Sequence, residues 1–264
     1  MNSVRTRAFF EHTAELEAAL TAAPRVLACF DFDGTLAPIV ERPEAAWMPA
    51  ETHEALGTLA RAPGVTLALI SGRALGDLRA RAALDGVVYA GNHGLEIEGA
   101  GWRYLSPAAE QARSALESVN TLLLSRLEGM PGVLVEPKGL TTSIHFRLAS
   151  RADASLVPEI VAGMIAPYGD RFRLTSGKEV VEVRPEADWH KGKAILWLSG
   201  RLGDPMVLFA GDDVTDEDAF AALPDGVTVK VGPPGDTLAR YRVDGPADVT
   251  RLIAWLDRLR RQRS

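Results

Sequence analysis

The chain has 264 residues, 47% hydrophobic and 24% charged, with a formal net charge of −6 and one cysteine. That length allows one large domain or two modest ones with cores of their own, and the charge argues against a nucleic-acid binder working through a basic face. The lone Cys29 excludes an internal disulfide, and no apolar run reaches the roughly 18 residues of a membrane span.

The segment Met1 to Leu20 mixes Arg, Glu and His with apolar residues and carries no signal-peptide core, so a cytoplasmic protein is expected. Phe9, Phe10, Leu16 and Leu20 are spaced for a helix over Arg7 to Leu20. Val26 to Phe30 then has the length and composition of a strand buried on both faces. It runs into Asp31-Phe-Asp33-Gly34-Thr35. Alternation along an extended backbone starts Asp31 and Asp33 on the same side. Two like charges that close need a cation between them, or a proton on one of them. An acidic turn after a strand is the plain alternative, because Asp and Gly are ordinary turn formers.

Pro49 to Ala60 reads as helix, Val65 to Ile70 as strand, Leu75 to Leu84 as helix and Val87 to Ala90 as strand. The second strand ends in Ser71-Gly72-Arg73 and the third in Gly91-Asn92-His93-Gly94. Alternating strands and helices predict a parallel sheet, and ligands of such sheets gather beyond the carboxyl ends of the strands. The rhythm then changes. Leu95 to Tyr104 is a Gly-broken, strand-like segment. Helices over Ala108 to Glu128 and Ala152 to Tyr168 alternate with strand pairs, Gly132 to Pro137 with Thr141 to Leu148, and Arg171 to Thr175 with Glu179 to Arg184. This pattern predicts a small α+β module over 106–185, inserted in an α/β core of 1–105 and 186–264. From Trp189 the core resumes, with a helix over His190 to Ser199 and a strand over Met206 to Ala210. The acidic run Gly211-Asp212-Asp213-Val-Thr-Asp216-Glu-Asp218 follows, then a short helix from Ala219, a strand over Val227 to Val231 and an amphipathic helix over Asp248 to Leu259.

Asp31/Asp33, Ser71, Lys191 and Asp212/Asp213/Asp216 all stand at ends of core elements. Each has a plain explanation alone: a turn, a surface lysine, a helix cap. Together they fit phosphoryl transfer. Hard carboxylate and carbonyl oxygens of Asp31, Asp33 and Asp212 suit Mg²⁺, with Asp213 and Asp216 behind them. A carboxylate nucleophile can form an aspartyl phosphate, and Lys191 and the Ser71 hydroxyl can hold phosphoryl oxygens.

At these residues the chain resembles the haloacid dehalogenase-like (HAD) phosphohydrolases, whose pattern of D-x-D-G-T, Ser or Thr, Lys and G-D-D-x-x-D occurs here in order. The resemblance implies a Rossmann-like core carrying an inserted α/β cap, with Asp31 as nucleophile and Asp33 as general acid/base. A finer resemblance covers almost the whole chain. Ser71-Gly72-Arg73, Gly91-Asn92-His93-Gly94, Val135-Glu136-Pro-Lys138, His145-Phe-Arg147, Gly177-Lys178-Glu-Val-Val-Glu182-Val-Arg184, Lys191-Gly192 and Gly211-Asp212-Asp213-Val-Thr-Asp216 are similar to the trehalose-6-phosphate phosphatases. That resemblance implies that Glu136, Lys138, Lys178 and Glu182 of the cap hold the distal sugar, while Arg73, Asn92, His93 and Arg147 line the site. In the plain alternative the four cap residues form a solvated hairpin face with cross-strand ion pairs. His145 reads as a structural histidine or a ligand.

The expectation is a monomeric, Mg²⁺-dependent phosphatase of trehalose 6-phosphate, without nucleic-acid or membrane partners. A HAD phosphatase of mannosylglycerate, sucrose or hexose phosphate shares the core motifs, and a non-catalytic regulatory module shares the fold.

Overall fold

The computed structural model describes residues 6–262. The first five residues of the segment read for a signal peptide, and the last two of the expected core, lie outside them. In chain order the strands and helices are β1 (Arg7–Ala8), α1 (Thr13–Ala22), β2 (Val26–Phe30), α2 (Ala50–Leu59), β3 (Val65–Ile70), α3 (Leu75–Ala82), β4 (Val88–Gly91), β5 (Glu96–Gly99) and β6 (Trp102–Leu105). Next come α4 (Pro107–Leu127), β7 (Leu134–Pro137), β8 (Thr142–His145), α5 (Arg151–Ile165), β9 (Phe172–Gly177) and β10 (Val180–Pro185). The chain closes with α6 (Lys191–Leu202), β11 (Met206–Gly211), α7 (Val214–Ala222), β12 (Val227–Val231), β13 (Tyr241–Val243) and α8 (Pro246–Gln262). Two compact units result. One runs to Arg103 and resumes at Trp189; the other is Tyr104–Asp188.

The first unit is built on a nine-stranded sheet in the order β1-β13-β12-β11-β2-β3-β4-β5-β6. The ladders from β1 to β4 are parallel, and β5 turns antiparallel to β4. Register explains why the polar turns converge. Phe30 is paired with Ala210 on one side and Leu69 on the other, so β2, β3 and β11 end level. All five residues of β2 are buried, as a strand between two helical layers requires. Leu252, Ile253, Leu256 and Leu259 of α8 face the same core as Leu16 and Leu20 of α1. Fully burying each such side chain contributes roughly 1.5–3 kcal/mol.

In the second unit the sheet order is β7-β8-β10-β9, antiparallel throughout. Ile144, Val181, Val183 and Phe172 pack against Leu116, Val119 and Leu123 of α4 and Val157 and Val161 of α5. Alternation sends Glu136, Ser143, Glu182 and Thr175, which lie opposite one another across the strands, to the other face.

Three expectations are corrected. The first helix begins at Thr13, not Arg7, because Arg7–Ala8 pair with Tyr241 and Arg242 as an edge strand. The helix expected from Ala219 begins at Val214: Asp213 caps it, and Asp216 returns a bond to the Asp213 backbone in a reciprocal box. Strand β8 ends at His145, short of Leu148, because the Ala149 N–H turns back to the Phe146 carbonyl. No helix among the described residues is long and apolar enough to cross a membrane.

Candidate active site

Asp31 directly follows β2, and its N–H donates to the Ala210 carbonyl of β11 at 2.9 Å. Lys191 opens α6, with His190 as the extended residue before it. Its Nζ donates to Asp31 Oδ1 at 2.7 Å and to Asp216 Oδ1 at 2.7 Å. The three side chains are almost wholly removed from solvent. The other oxygen of Asp216 accepts the Asp213 N–H at 2.9 Å. Ligand oxygens of Asp31, Asp212 and Asp216 lie within 4.8 Å of one another.

Three carboxylates and one ammonium leave this cluster short of positive charge. Burial drives the Asp31 carboxyl well above the ordinary carboxylate range; Lys191 opposes that, and Asp216 and Asp212 reinforce it. For Lys191, burial favours the neutral amine, but Asp216 and Asp31 overcome it and hold the amine above its ordinary value. An all-oxygen donor set with excess negative charge is what a hard divalent cation takes. Backbone geometry protects the arrangement. A Cβ on Gly34 would stand 2.3 Å from Asp212 Cγ, and one on Gly211 would stand 2.3 Å from Asp216 Cγ.

Asp33 points elsewhere. Its two oxygens accept from Arg73, Oδ2 from Nε at 2.7 Å and Oδ1 from Nη2 at 2.6 Å, a fork-to-fork pair. The Arg73 N–H donates to Ser71 Oγ at 3.2 Å, and the Ser71 carbonyl accepts the His93 N–H at 2.8 Å. Ser71, Arg73, Asn92 and His93 are all buried at the ends of β3 and β4. The Asn92 amide donates to Glu96 Oε1 at 2.8 Å, and the same oxygen accepts the Leu75 N–H at 3.0 Å, fixing the start of α3. Asn92 and His93 both take positive φ, 48° and 59°.

In the second unit Glu182 is the centre of the polar face. Its Oε1 accepts from Lys138 Nζ at 3.0 Å, Thr141 Oγ1 at 3.0 Å and Ser143 Oγ at 3.3 Å. Arg184 Nε lies 3.9 Å from Oε2. His145 Nε2 and Glu136 Oε2 are 2.8 Å apart, so this histidine sits on the polar face, not in the apolar layer. Arg147 donates to Glu179 Oε2 at 3.0 Å and to the Lys178 carbonyl at 3.3 Å, which ties it to the β9–β10 turn. Lys178 is exposed there.

Asp31, Lys191, Asp212 and Asp216 thus form one cluster, and Asp33 and Arg73 a pair beside Ser71. Asp216, not Asp213, stands with Asp31 and Asp212; Asp213 caps α7. Glu136, Lys138, Arg147, Lys178 and Glu182 belong to the other unit, where Glu182 pairs with Lys138 and Arg147 donates to the Lys178 carbonyl. Sequence reasoning missed Thr141 and Ser143 as partners of Glu182. Their alternation with Glu182 across β8 and β10 carried the signal for Ser143.

A family model described as trehalose-phosphatase matches residues 29–242. A trehalose-phosphate phosphatase of Mycobacterium marinum is 39% identical over 275 residues, covering 97% of this chain and 70% of the relative. The solved C-terminal domain of a Candida albicans trehalose-6-phosphate phosphatase shares the fold, with a TM-score of 0.81 at 24% identity over 97% of this chain and 99% of that one. A haloacid dehalogenase-like hydrolase from Bacteroides thetaiotaomicron also shares it, with a TM-score of 0.63 at 15% identity over 88% and 99% of the two chains.

Proposed function

The chain belongs to the trehalose-phosphatase family, and we propose that it hydrolyses trehalose 6-phosphate to trehalose and phosphate. The observation that carries this reading is the buried Lys191 held at 2.7 Å from both Asp31 and Asp216, on the rim where Asp212 and Ser71 also end strands. That arrangement supports Asp31 as nucleophile. Its carboxylate attacks phosphorus, the bond to the sugar oxygen breaks, and Asp33 delivers a proton to that oxygen. Asp33 then takes a proton from the water that attacks the acyl phosphate, which releases phosphate and regenerates Asp31. Lys191 and the Ser71 hydroxyl bind phosphoryl oxygens while charge is redistributed.

Asp31, the Asp33 carbonyl and Asp212 would hold Mg²⁺, with Asp216 orienting Lys191 and Asp213 capping the helix beneath. When bound, the ion supplies charge neutralisation and polarises the phosphoryl group. On the polar face of the second unit, Glu182, Lys138, Glu136 and the exposed Lys178 offer charge-assisted partners for sugar hydroxyls, with Arg147 beside them. Asn92 and His93, on their positive-φ turn at the end of β4, would line the core site. We further assign a monomer acting in the cytoplasm on this small molecule.

Phosphate release from trehalose 6-phosphate is to be compared with release from sucrose, mannosylglycerate and hexose phosphates. A kcat/KM for trehalose 6-phosphate at least tenfold above the rest is expected. Preference for another ester would reassign the substrate, and no Mg²⁺-dependent turnover of any would leave a regulatory module.

A further inference from the structure

Arg73 is 6% exposed, and four of its five N–H groups are spent inside the protein. Nε and Nη2 hold Asp33, Nη2 also donates to the Pro43 carbonyl at 2.8 Å, and Nη1 donates to Asp77 Oδ2 at 2.7 Å. Its guanidinium also lies 5.4 Å from the centre of the Phe32 ring. A guanidinium so committed has no fork left for a phosphoryl group.

The chain of contacts continues away from the site. Asp77 accepts from Arg81 Nε at 2.8 and 2.9 Å. Arg81 Nη1 donates to the carbonyls of Glu44 at 3.1 Å and Ala46 at 2.8 Å, and its guanidinium lies 5.1 Å from the Trp47 ring centre. Asp77 and Arg81 are four residues apart on α3, a spacing that puts their side chains on one face, and Arg73 reaches Asp77 from the turn just before the helix. The irregular stretch after Asp33 is therefore stapled to α3, and the same staple grips the Asp33 carboxylate.

We propose that Arg73, Asp77 and Arg81 are positioning residues for Asp33, Asp77 fixing the Arg73 fork and Arg81 fixing Asp77 to the 44–46 backbone. This rests on the reading of Asp33 as the acid that protonates the leaving oxygen. The Asp33 side chain is 42% exposed, so packing alone does not hold it, and a proton donor must be kept within hydrogen-bond reach of the departing atom.

The distinguishing readout is the leaving group. An alkoxide needs a proton as it departs, whereas 4-nitrophenolate does not. The experiment measures kcat/KM for Asp77→Asn, Arg81→Gln and Arg73→Lys on trehalose 6-phosphate, an unbranched alkyl phosphate and 4-nitrophenyl phosphate. Each variant is expected to lose about tenfold or more on the two alkyl esters, part of the roughly 10²–10⁴-fold that acid catalysis supplies, and less than threefold on the aryl ester. Arg73→Lys keeps the charge but not the fork and is expected to fail like the others. Equal losses on all three esters would overturn the positioning role and make the network structural, as would unchanged rates throughout. A wild-type chain that turns over the alkyl phosphate but not trehalose 6-phosphate would refute the substrate while leaving the same comparison intact. A wild-type chain inert to every ester would overturn both.

Discussion

The backbone of Gly34 and the carboxylate of Asp212 occupy adjoining space with no room for a side chain between them: a Cβ on Gly34 would come within 2.5 Å of three carboxylate atoms. Gly34 also takes φ +81°, a left-handed conformation that costs an L-residue roughly 1–2 kcal/mol. Gly34→Ala is therefore expected to push Asp212 from its place more than to unfold the chain. Turnover should fall about 100-fold, the scale of a 1 Å misplacement, and the rise of Tm on adding Mg²⁺ should shrink with it. A variant with normal activity would mean that Asp212 is not needed where it stands.

Lys191→Met removes the cation from a set of three carboxylates, of which Asp31 and Asp216 are buried and Asp212 half-buried. Breaking a buried ion pair by deleting one partner costs about 3–5 kcal/mol, because the remaining charge stays desolvated. The variant should lose turnover and have a lower Tm in chelator. Added Mg²⁺ should then raise its Tm by more than it raises that of the wild type, since a bound cation now offsets more uncompensated charge. An equal or smaller rise would show that the cluster does not hold the ion.

What could be read from the chain was local. Val26 to Phe30 is a strand because five apolar residues in a row suit burial on both faces, and Asp31 follows it without any long-range contact being needed. Asp213-x-x-Asp216 carries a capping signal, and the cap is there, but the helix it starts begins at Val214 and not at Ala219. Strands β1 and β13 left no such trace: Arg7–Ala8 is two residues long, and its partner is more than 230 residues away. The Asp33–Arg73 pair spans 40 residues and depends on β2 and β3 being neighbours in register. The pairing of His145 with Glu136 depended likewise on which face of β8 turned away from α4 and α5.

Glu182 accepts three hydrogen bonds in a buried place, so truncation to Ala would take an acceptor from Lys138, Thr141 and Ser143, and any loss of sugar binding would be mixed with loss of stability. Glu182→Gln keeps the acceptor oxygen and removes the charge. If the polar face takes sugar hydroxyls, KM for trehalose 6-phosphate should rise about tenfold, with kcat/KM for 4-nitrophenyl phosphate changed less than twofold. A parallel loss on both substrates, with a lowered Tm, would assign Glu182 to the fold of its own unit.

Asp77 offers a test in pH. Burial alone would raise its carboxyl, but hydrogen bonds from Arg81 and Arg73, with their charges, hold it below the usual carboxylate value. A folded-state pKa below the unfolded one stabilises the protein above the unfolded value, about 3.9, and that contribution disappears as pH falls through the folded value. The side chain is about a third exposed, so the contribution is at most about 1 kcal/mol. Asp77→Asn should therefore lower Tm at pH 7 by roughly 2–4 °C, and the gap to the wild type should narrow as pH drops below about 4, where the unfolded carboxyl takes up its proton, and close only below the folded value. Equilibrium melts from pH 7 down to pH 3 would show it. A gap that persists undiminished at the acid end would mean that Asp77 acts through shape and hydrogen bonding, not through its charge.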